Sequence, residues 1–289
     1  MRYDPPVYRP PSEASSLILQ ISLGCSHNAC TFCGMYKGKK YRIKSWPEIE
    51  SDILSAKQIY PEANRIFLGD GNALAVENSI LLKIIKKLYC EFPNLERIGI
   101  YAGPKDILLK QPEALKELGE SGLGIVYLGL ESGSDRVLNM VRKGVSATHM
   151  VEAGRKVLDA GLALSVTVII GLGGAELSEE HAAETASAVS AINPTYLGAL
   201  TLMAIEDTPL YKKIRLGEFK LLTPAQGLRE IKLILEKVSL SNCIFRSNHA
   251  SNYLPLKGIL NRDKAALISL LERSLSEPGL LRPEYMRGL

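Results

Sequence analysis

The chain has few cysteines, and they are unevenly placed: three of its five fall within nine residues. An odd, clustered set differs from the paired disulfide framework of a small secreted protein. No charged and then apolar leader opens the sequence, and no apolar run reaches about 18 residues without a charge or a glycine. We therefore expect a cytosolic protein that does not span a membrane.

The chain also has little net charge. Its 35 lysines and arginines and 31 aspartates and glutamates give a net +4. So small an excess does not indicate nucleic acid as a partner. A local basic run nevertheless follows the clustered cysteines, at Lys37, Lys39, Lys40, Arg42 and Lys44. Two interpretations remain open: a solvated loop, or a site for a phosphate or carboxylate of the substrate.

The clustered cysteines, Cys25, Cys30 and Cys33, have the spacing C-x4-C-x2-C. A closed zinc site usually has four ligands, commonly two C-x2-C pairs. The other two cysteines, Cys90 and Cys243, lie far along the chain in apolar segments. An iron–sulfur cube held by three thiolates leaves one iron without a protein ligand, where a substrate or cofactor can bind. A zinc-stabilised binding module is the alternative.

Apolar segments of strand and helix type alternate through most of the chain. Strands are predicted at 17–23, 65–68, 97–101, 125–130, 164–170 and 196–203. Helices are predicted at 46–60, 77–91, 112–120, 147–160, 179–191 and 224–238. Strands that are each followed by a helix indicate a parallel sheet with right-handed crossovers.

Chemically distinctive sequences follow the predicted strands at one end of the sheet: the cysteine loop, GDGN at 69–72, ESGSD at 131–135 and GLGG at 171–174. That polarity is typical of a β/α barrel, whose active site lies at the carboxyl ends of the strands. We divide the chain into an arm at 1–15, a barrel at 16–240 and an extension at 241–289 that closes the barrel mouth. The extension should contain a strand at 243–246, a polar loop at 247–258 and a helix at 263–275.

The cysteine loop, with Phe32 directly before its last cysteine, and the segment YLGLESGSDRVL resemble the radical S-adenosylmethionine (radical SAM) superfamily. The resemblance covers about residues 17–210 and implies an α/β fold with a partial (β/α)6 TIM-like barrel. It also implies a 4Fe–4S cluster on the three clustered cysteines, with SAM bound to the fourth iron and cleaved by an injected electron to a 5′-deoxyadenosyl radical. The family spacing is C-x3-C-x2-C. The extra residue here places His27 in the longer gap, as an iron ligand or as a loop-packing residue.

The same resemblance implies which residues contact SAM. They are Phe32, Gly69, Asp70, Gly71, Asn72, Tyr101, Glu131, Ser132, Thr167, Ile170 and Gly171. Asp70 and Asn72 would accept hydrogen bonds from the ammonium of SAM, and Glu131 from its ribose or amine. The strand at 164–170 would pass the adenine, and residues 200–203 of the next strand would face it. Structural alternatives stay open: a plain turn at 69–72, a helix cap at Ser134 or Asp135, and apolar core at 200–203.

Substrate contacts are expected at Tyr36 and Lys37 and in a polar run that comprises Arg246, Asn248, His249, Asn252 and Tyr253. An exposed surface loop is the alternative for this run. We expect a small organic substrate and an external one-electron donor of flavodoxin or ferredoxin type. An RNA-modifying or coproporphyrinogen-oxidase-like enzyme is a second possibility, and a non-catalytic electron-transfer or sensor protein is a third.

Overall fold

The computed structural model describes residues 1–288. The strands in this range are β1 (Leu17–Gln20), β2 (Ser22–Leu23), β3 (Arg42–Ile43), β4 (Arg65–Gly69), β5 (Arg97–Ala102), β6 (Leu123–Glu131), β7 (Ala163–Ile170), β8 (Tyr196–Thr201), β9 (Cys243–Ser247) and β10 (Leu256–Leu260). Eight of them form one sheet in the order β1-β4-β5-β6-β7-β8-β9-β10, and β2 pairs with β3 separately. Within the large sheet, the pairs β1–β4, β4–β5, β5–β6, β7–β8 and β8–β9 are parallel, whereas β10 runs antiparallel to β9.

Helices connect the strands of the large sheet. They are α1 (Trp46–Ile59), α2 (Asn78–Glu91), α3 (Pro104–Leu109), α4 (Pro112–Glu120), α5 (Asp135–Met140), α6 (Ala147–Asp159), α7 (Ser178–Ile192), α8 (Pro209–Arg215), α9 (Pro224–Lys237) and α10 (Lys264–Ser276). Among residues 1–288, no helix has both the length and the apolar character that crossing a bilayer requires.

The chain divides into two compact units. Unit 1 comprises Met1–Asn28, Met35–Leu128 and Arg155–Leu164, and unit 2 comprises Ala29–Gly34, Gly129–Gly154 and Ser165–Leu289. In unit 1, Ile66, Phe67 and Leu68 of β4 are fully buried, as expected of a parallel strand that is covered on both faces. In unit 2, a buried apolar cluster forms from Val137, Val141, Leu172, Leu202, Leu210 and Phe219.

The predicted arm lies on unit 1. The Tyr3 hydroxyl donates to the carbonyl oxygen of Ile18 at 2.8 Å, and the buried Glu13 pairs with Arg97 at 2.6 Å. Both contacts join the segment before residue 16 to strands of the sheet. This segment is therefore attached to the sheet of unit 1 at Tyr3 and at Glu13.

Two predicted elements are wrong. The strand expected at 17–23 is two strands, because at Ile21 the backbone changes partner: its N–H donates to Gly69, whereas its carbonyl accepts from Lys44. The loop expected at 247–258 contains the start of β10. Only Leu256 and Leu260 of that strand are buried, so its apolar pattern is too weak to predict a strand from the sequence. The strand forms because it pairs with β9.

Candidate functional site

In unit 1, the loop that follows β4 holds the residues on either side of Cys25. The Asp70 carboxylate accepts a hydrogen bond from the backbone N–H of Gly24 at 3.2 Å. The Asn72 amide donates to the Ser26 hydroxyl at 2.6 Å. Gly24 has φ +73°, a conformation that glycine adopts without strain. The GDGN loop thereby fixes the backbone around the first cysteine.

The Asp70 carboxylate is buried, and its two oxygens have different surroundings. Oδ2 accepts from Lys39 Nζ at 3.1 Å and from Gln20 Nε2 at 3.4 Å, in addition to Gly24. Oδ1 is buried, and no donor among residues 1–288 reaches it. Leaving a buried acceptor without a hydrogen bond is costly, by about 1–3 kcal/mol. This oxygen therefore suits a ligand that brings its own N–H donor.

Asn72 joins the cysteine loop to the end of β5. Its Oδ1 accepts from the backbone N–H of Gly103 at 2.7 Å, and its Nδ2 also donates to Asp106. The side chain is 2% exposed, and both ends of its amide are already bonded. Nearby on β5, the Tyr101 ring contacts Phe67 edge-on, with 4.8 Å between centroids. In this arrangement Asn72 positions the loop.

Gly71 leaves room for the ring of Tyr36. A Cβ atom at position 71 would stand 2.6 Å from Tyr36 Cε2 and 3.0 Å from Cys25 Cβ. Tyr36, expected to contact substrate, is 4% exposed, whereas Lys37 is exposed and donates to the carbonyl oxygen of Asn28 at 3.0 Å. The close approach of these groups requires glycine at position 71.

We expect Gly71→Ala to lower the free energy of unfolding by about 2 kcal/mol, because the added methyl group must displace the Tyr36 ring or Cys25. Gly38→Ala is the matched control in the same unit, since no atom lies within 4 Å of a Cβ at that position. The control should change stability by less than about 0.5 kcal/mol. Urea unfolding followed by circular dichroism measures both variants. Equal stabilities would show that the loop yields without cost.

In unit 2, the segment that carries Cys30 and Cys33 is fixed by its backbone and by packing. The N–H of Thr31 donates to Val141 at 2.9 Å, and its carbonyl accepts from Leu210 at 3.0 Å. Phe32 packs against the buried apolar cluster of this unit. Residues between the second and third cysteines are thus anchored to the end of α5 and the start of α8.

Glu131 ends β6 in a left-handed conformation, φ +64°, which is unusual for a residue with a side chain. Its carboxylate pairs with Lys143 at 2.8 Å, and the two side chains are only 12% and 13% exposed. A side chain at Gly129 would collide with this carboxylate. Strained backbone of this kind is concentrated at functional sites. Glu131 is therefore held in one position at a strand end.

Beyond Glu131, a buried hydrogen-bond chain begins at Ser132. Its Oγ lies 2.7 Å from Nδ1 of His181, whose Nε2 lies 3.1 Å from the carbonyl oxygen of Ile169. Because a carbonyl can only accept, we assign the ring hydrogen to Nε2 and the donor role at Nδ1 to the Ser132 hydroxyl. Ser134 caps α5, accepting from the N–H of Val137 at 3.3 Å, so the predicted helix-cap role is confirmed.

Glu230 of α9 holds the residue that follows β7. Its Oε1 accepts from the N–H of Gly171 at 2.6 Å and lies 3.5 Å from His181 Nε2, and its other oxygen accepts from Ser178. Burial raises the pKa of Glu230 to about 7 and lowers the pKa of His181 to about 4. His181 of α7 thereby contacts the loop after β6 and the end of β7, and Glu230 joins Ser178 of α7 to the loop after β7 at Gly171.

The two SAM residues expected on β7 point in opposite directions. Thr167 lies on the half-buried face of the strand, opposite Gly198 of β8, whereas Ile170 is fully buried. Gly171 follows with φ +83°. Alternate side chains of a strand face opposite sides, so Thr167 and Ile170 do not share a face.

A cavity of about 340 Å³ lies at the carboxyl ends of β7 and β8 in unit 2. Its lining consists of Ile170, Gly171, Thr201, Leu202, Met203, Ala204, Leu221, Leu222, Thr223, Gly227, Tyr253, Glu284 and Arg287. Apolar side chains with a few hydroxyl and charged groups are typical of small-molecule pockets. The cavity thus contains five of the residues expected near the adenine, Ile170, Gly171, Thr201, Leu202 and Met203.

The polar run after β9 divides into buried and exposed members. Asn252 is 1% exposed, accepts from the Thr201 hydroxyl at 2.8 Å and donates to the Ala199 carbonyl at 2.9 Å. His249 is half-buried, and burial together with the nearby Arg282 lowers its pKa. Arg246 and Asn248 are exposed, and Tyr253 lines the cavity. Asn252 therefore attaches this loop to β8.

A family model described as the radical SAM superfamily matches residues 19–187, more than half of the chain. The chain belongs to the radical SAM superfamily. Superfamily members use a 4Fe–4S cluster and SAM, together with an external electron donor. The family predicted from the cysteine loop and the ESGSD segment is confirmed, as are both cofactors.

Two relatives of known name share part of the sequence. A protein of Methanocaldococcus jannaschii, provisionally named a methylthiotransferase, is 24% identical over 54% of this chain and 35% of its own. The hopanoid C-3 methylase of Methylococcus capsulatus is 28% identical over 53% of this chain and 28% of its own. The chain therefore spans about a third of the length of these relatives.

Among solved structures, coproporphyrinogen III oxidase of Escherichia coli is similar in fold, with a TM-score of 0.56 at 17% identity. The match covers 76% of this chain and 51% of that one. Together with the parallel sheet, this likeness confirms the predicted fold class, the partial TIM-like barrel of radical SAM proteins.

The donor set of this radical SAM chain suits an iron–sulfur cluster. Cys25, Cys30 and Cys33 are thiols, each half-buried, and soft thiolates are the ligands that such clusters take. By contrast Cys90 is exposed and Cys243 is fully buried. Within residues 1–288, no three histidine, cysteine, aspartate or glutamate side chains gather around a point where a single metal ion would bind. His27 is half-buried in the same loop.

Several residues of this radical SAM site were absent from the sequence predictions. His181 and Glu230 lie among the buried and mostly apolar residues of their helices, which include Ala182 on α7 and Ile231 on α9. A titratable residue on an apolar stripe is a signal that periodicity alone can find. Arg287 gave no such signal, because it lies outside the predicted helices and strands.

Proposed function

We propose that this protein cleaves SAM reductively at a 4Fe–4S cluster and uses the resulting radical to abstract hydrogen from a small organic substrate. The observation that carries the proposal is the support around the thiols. In unit 1, hydrogen bonds fix the residues on both sides of Cys25, and in unit 2, Thr31 and Phe32 fix the segment of Cys30 and Cys33. Three thiols on nine residues of chain, each in supported backbone, suit one cluster.

Cys25, Cys30 and Cys33 would hold the cluster, whose fourth iron supplies the site where SAM binds and is reduced. Asp70 would accept the ammonium of SAM through Oδ1, which is buried and has no donor among residues 1–288. The same carboxylate keeps its hydrogen bond to Gly24 through Oδ2. Asp70 would thus serve both the loop and the cofactor.

Glu131 would accept from the ribose hydroxyls of SAM. Its carboxylate is held by Lys143 and its backbone has the left-handed conformation described above, so the acceptor is already oriented. The adenine would enter the cavity beside Ile170 and Gly171 in unit 2. Hydrogen bonds of His181 and Glu230 hold the loop that begins at Ser132 and the loop that begins at Gly171.

Five of the predicted residues are kept as substrate contacts. They are Tyr36 and Lys37 in unit 1, and Arg246, Asn248 and His249 in unit 2. An external electron donor of flavodoxin or ferredoxin type would supply the electron. Lys37 and Arg246 are exposed and cationic, which favours a substrate or a donor protein with negative charge.

The direct test is an anaerobic reconstitution with iron and sulfide, followed by incubation with SAM and dithionite. We expect release of 5′-deoxyadenosine and methionine in equal amounts. Omitting dithionite should abolish both products, because the cleavage needs an electron. A reconstituted, reduced protein that binds SAM but releases neither product would contradict the proposal and favour an electron-transfer or sensor protein.

Methyl transfer is a second candidate, favoured by the named relatives, one a methylase and one provisionally a methylthiotransferase. The same assay separates it from hydrogen abstraction alone. Transfer of the methyl group of SAM produces S-adenosylhomocysteine, whereas radical formation produces 5′-deoxyadenosine. SAM labelled in the methyl group, incubated with cell extract and the reconstituted protein, shows whether the label reaches an acceptor.

A further inference from the structure

The last described turn of the chain forms one wall of the cavity in unit 2. This C-terminal segment, residues 282–287, includes a single 3-10 turn at Glu284–Met286. Arg282 attaches its base to the loop after β9: the backbone N–H donates to Tyr253 at 2.7 Å, and the guanidinium donates to Ala250 at 3.1 Å. The segment is therefore fixed at residue 282 and reaches the cavity at residue 287.

Arg287 is a buried cation at the cavity, with a side chain that is 4% exposed. Its Nε donates to the carbonyl oxygen of Ser251 at 2.7 Å, and its Nη2 lies 2.9 Å from the sulfur of Met203. The guanidinium carbon lies 4.0 Å from the centroid of the Tyr253 ring. Its ion-pair partner, Glu284, is 2.7 Å away and 68% exposed. The guanidinium of Arg287 is thus oriented by buried groups on one side and by an exposed carboxylate on the other.

Apolar packing contributes little to holding this segment. Tyr285 is 85% exposed and Met286 is 59% exposed, so the turn buries almost none of its large side chains. Its attachment depends on the hydrogen bonds of Arg282 and Arg287 and on the bond that the Tyr253 hydroxyl donates to Glu284 at 2.7 Å. When these bonds open, water replaces the protein partners on both sides. The turn can therefore move aside without exposing a large apolar surface to water.

We propose that this C-terminal segment is a cap on the nucleoside end of SAM, in which Arg287 and Tyr253 are cofactor-binding residues. The inference rests on the proposed function, since it takes the cavity beside Ile170 and Gly171 as the place of the adenine. A purine offers ring nitrogens that accept hydrogen bonds and a π face that attracts a cation. Arg287 supplies both kinds of contact at the cavity wall, and the exposed Glu284 can swing to water as the ligand enters.

The cap predicts a selective loss of affinity in Arg287→Ala. With the cluster-reconstituted protein, we expect the variant to bind SAM about tenfold more weakly, the factor for one lost contact of about 1.4 kcal/mol. It should bind 5′-deoxyadenosine more weakly by the same factor. Methionine, which lacks the nucleoside, should bind as it does to the unaltered protein. Equilibrium titrations of the three compounds measure these effects without any turnover.

Arg262→Ala is the matched control, an exposed arginine of unit 2 that also pairs with one carboxylate, Asp263, and is absent from the cavity lining. It should leave all three affinities unchanged. Arg287→Lys separates the loss of the nucleoside contact from a loss of stability, because it keeps the charge but not the planar fork. It should lose nucleoside affinity while its melting temperature stays the same. Unchanged SAM and 5′-deoxyadenosine affinities in both Arg287 variants would overturn the cap. An equal loss for methionine would also overturn it. Failure of the unaltered protein to bind SAM would instead contradict the proposed function.

Discussion

Cys30→Ala abolishes the iron–sulfur cluster and with it all reductive cleavage of SAM. The reason is the small number of ligands: three thiolates hold the cluster, so losing one leaves two irons without a protein ligand. The backbone at this position does not depend on the thiol, because the neighbouring Thr31 is fixed by its own hydrogen bonds to Val141 and Leu210. The variant should therefore fold while losing its cluster absorbance, its bound iron and its release of 5′-deoxyadenosine.

Cys90→Ala is the matched control for this prediction. Cys90 is exposed on α2, outside the cysteine loop, so its removal should leave the iron content and the SAM cleavage unchanged. Iron and sulfide analysis and the 5′-deoxyadenosine assay are applied to both variants under the same anaerobic conditions. A Cys30→Ala protein that still binds a full cluster and cleaves SAM would remove this thiol from the ligand set.

Glu230→Gln and His181→Asn give stabilities that depend on pH in opposite directions. Burial lowers the pKa of His181 from 6.5 to about 4, so between these values the unfolded chain takes up a proton that the folded chain refuses. Stability from His181 therefore rises with pH across that window. Burial raises the pKa of Glu230 from 4.5 to about 7, so the folded chain keeps a proton that the unfolded chain gives up, and stability falls as pH rises between those values.

In the unaltered protein the two contributions nearly cancel between about pH 4.5 and 6.5. In Glu230→Gln, His181 is the one group of the pair that still titrates, so the free energy of unfolding should rise by about 3 kcal/mol from pH 4 to 6.5. His181→Asn leaves Glu230 alone, and stability should fall by about 3 kcal/mol from pH 4.5 to 7. Urea unfolding at a series of pH values measures both slopes. The double variant is the control and should be flat, whereas parallel slopes in the two single variants would contradict the buried pair.

The alternation of strands and helices was predictable because long apolar segments carry their own periodicity. The helix at 112–120, with proline in its first turn, is found as Pro112–Glu120. Short elements escaped, because the signal in them is tertiary. β3 has two exposed residues and exists through pairing with β2, and β10 exists through pairing with β9.

Roles within the site were less predictable than the positions of its motifs. The sequence indicated that Asp70 and Asn72 follow a strand near the cysteine loop, and the structure places them there. It could not indicate that both amide ends of Asn72 are already bonded, to Gly103, Ser26 and Asp106, because these partners come from separate segments. Long-range hydrogen bonds of this kind leave no local pattern.

The central claim is that three thiolates leave one iron of the cluster open to SAM. Mössbauer spectroscopy of the protein reconstituted with isotopically enriched iron tests it most directly. We expect three similar irons and one distinct iron, whose isomer shift alone changes when SAM is added. Four equivalent irons that do not respond to SAM would contradict it, because they would mean that a fourth side chain completes the cluster.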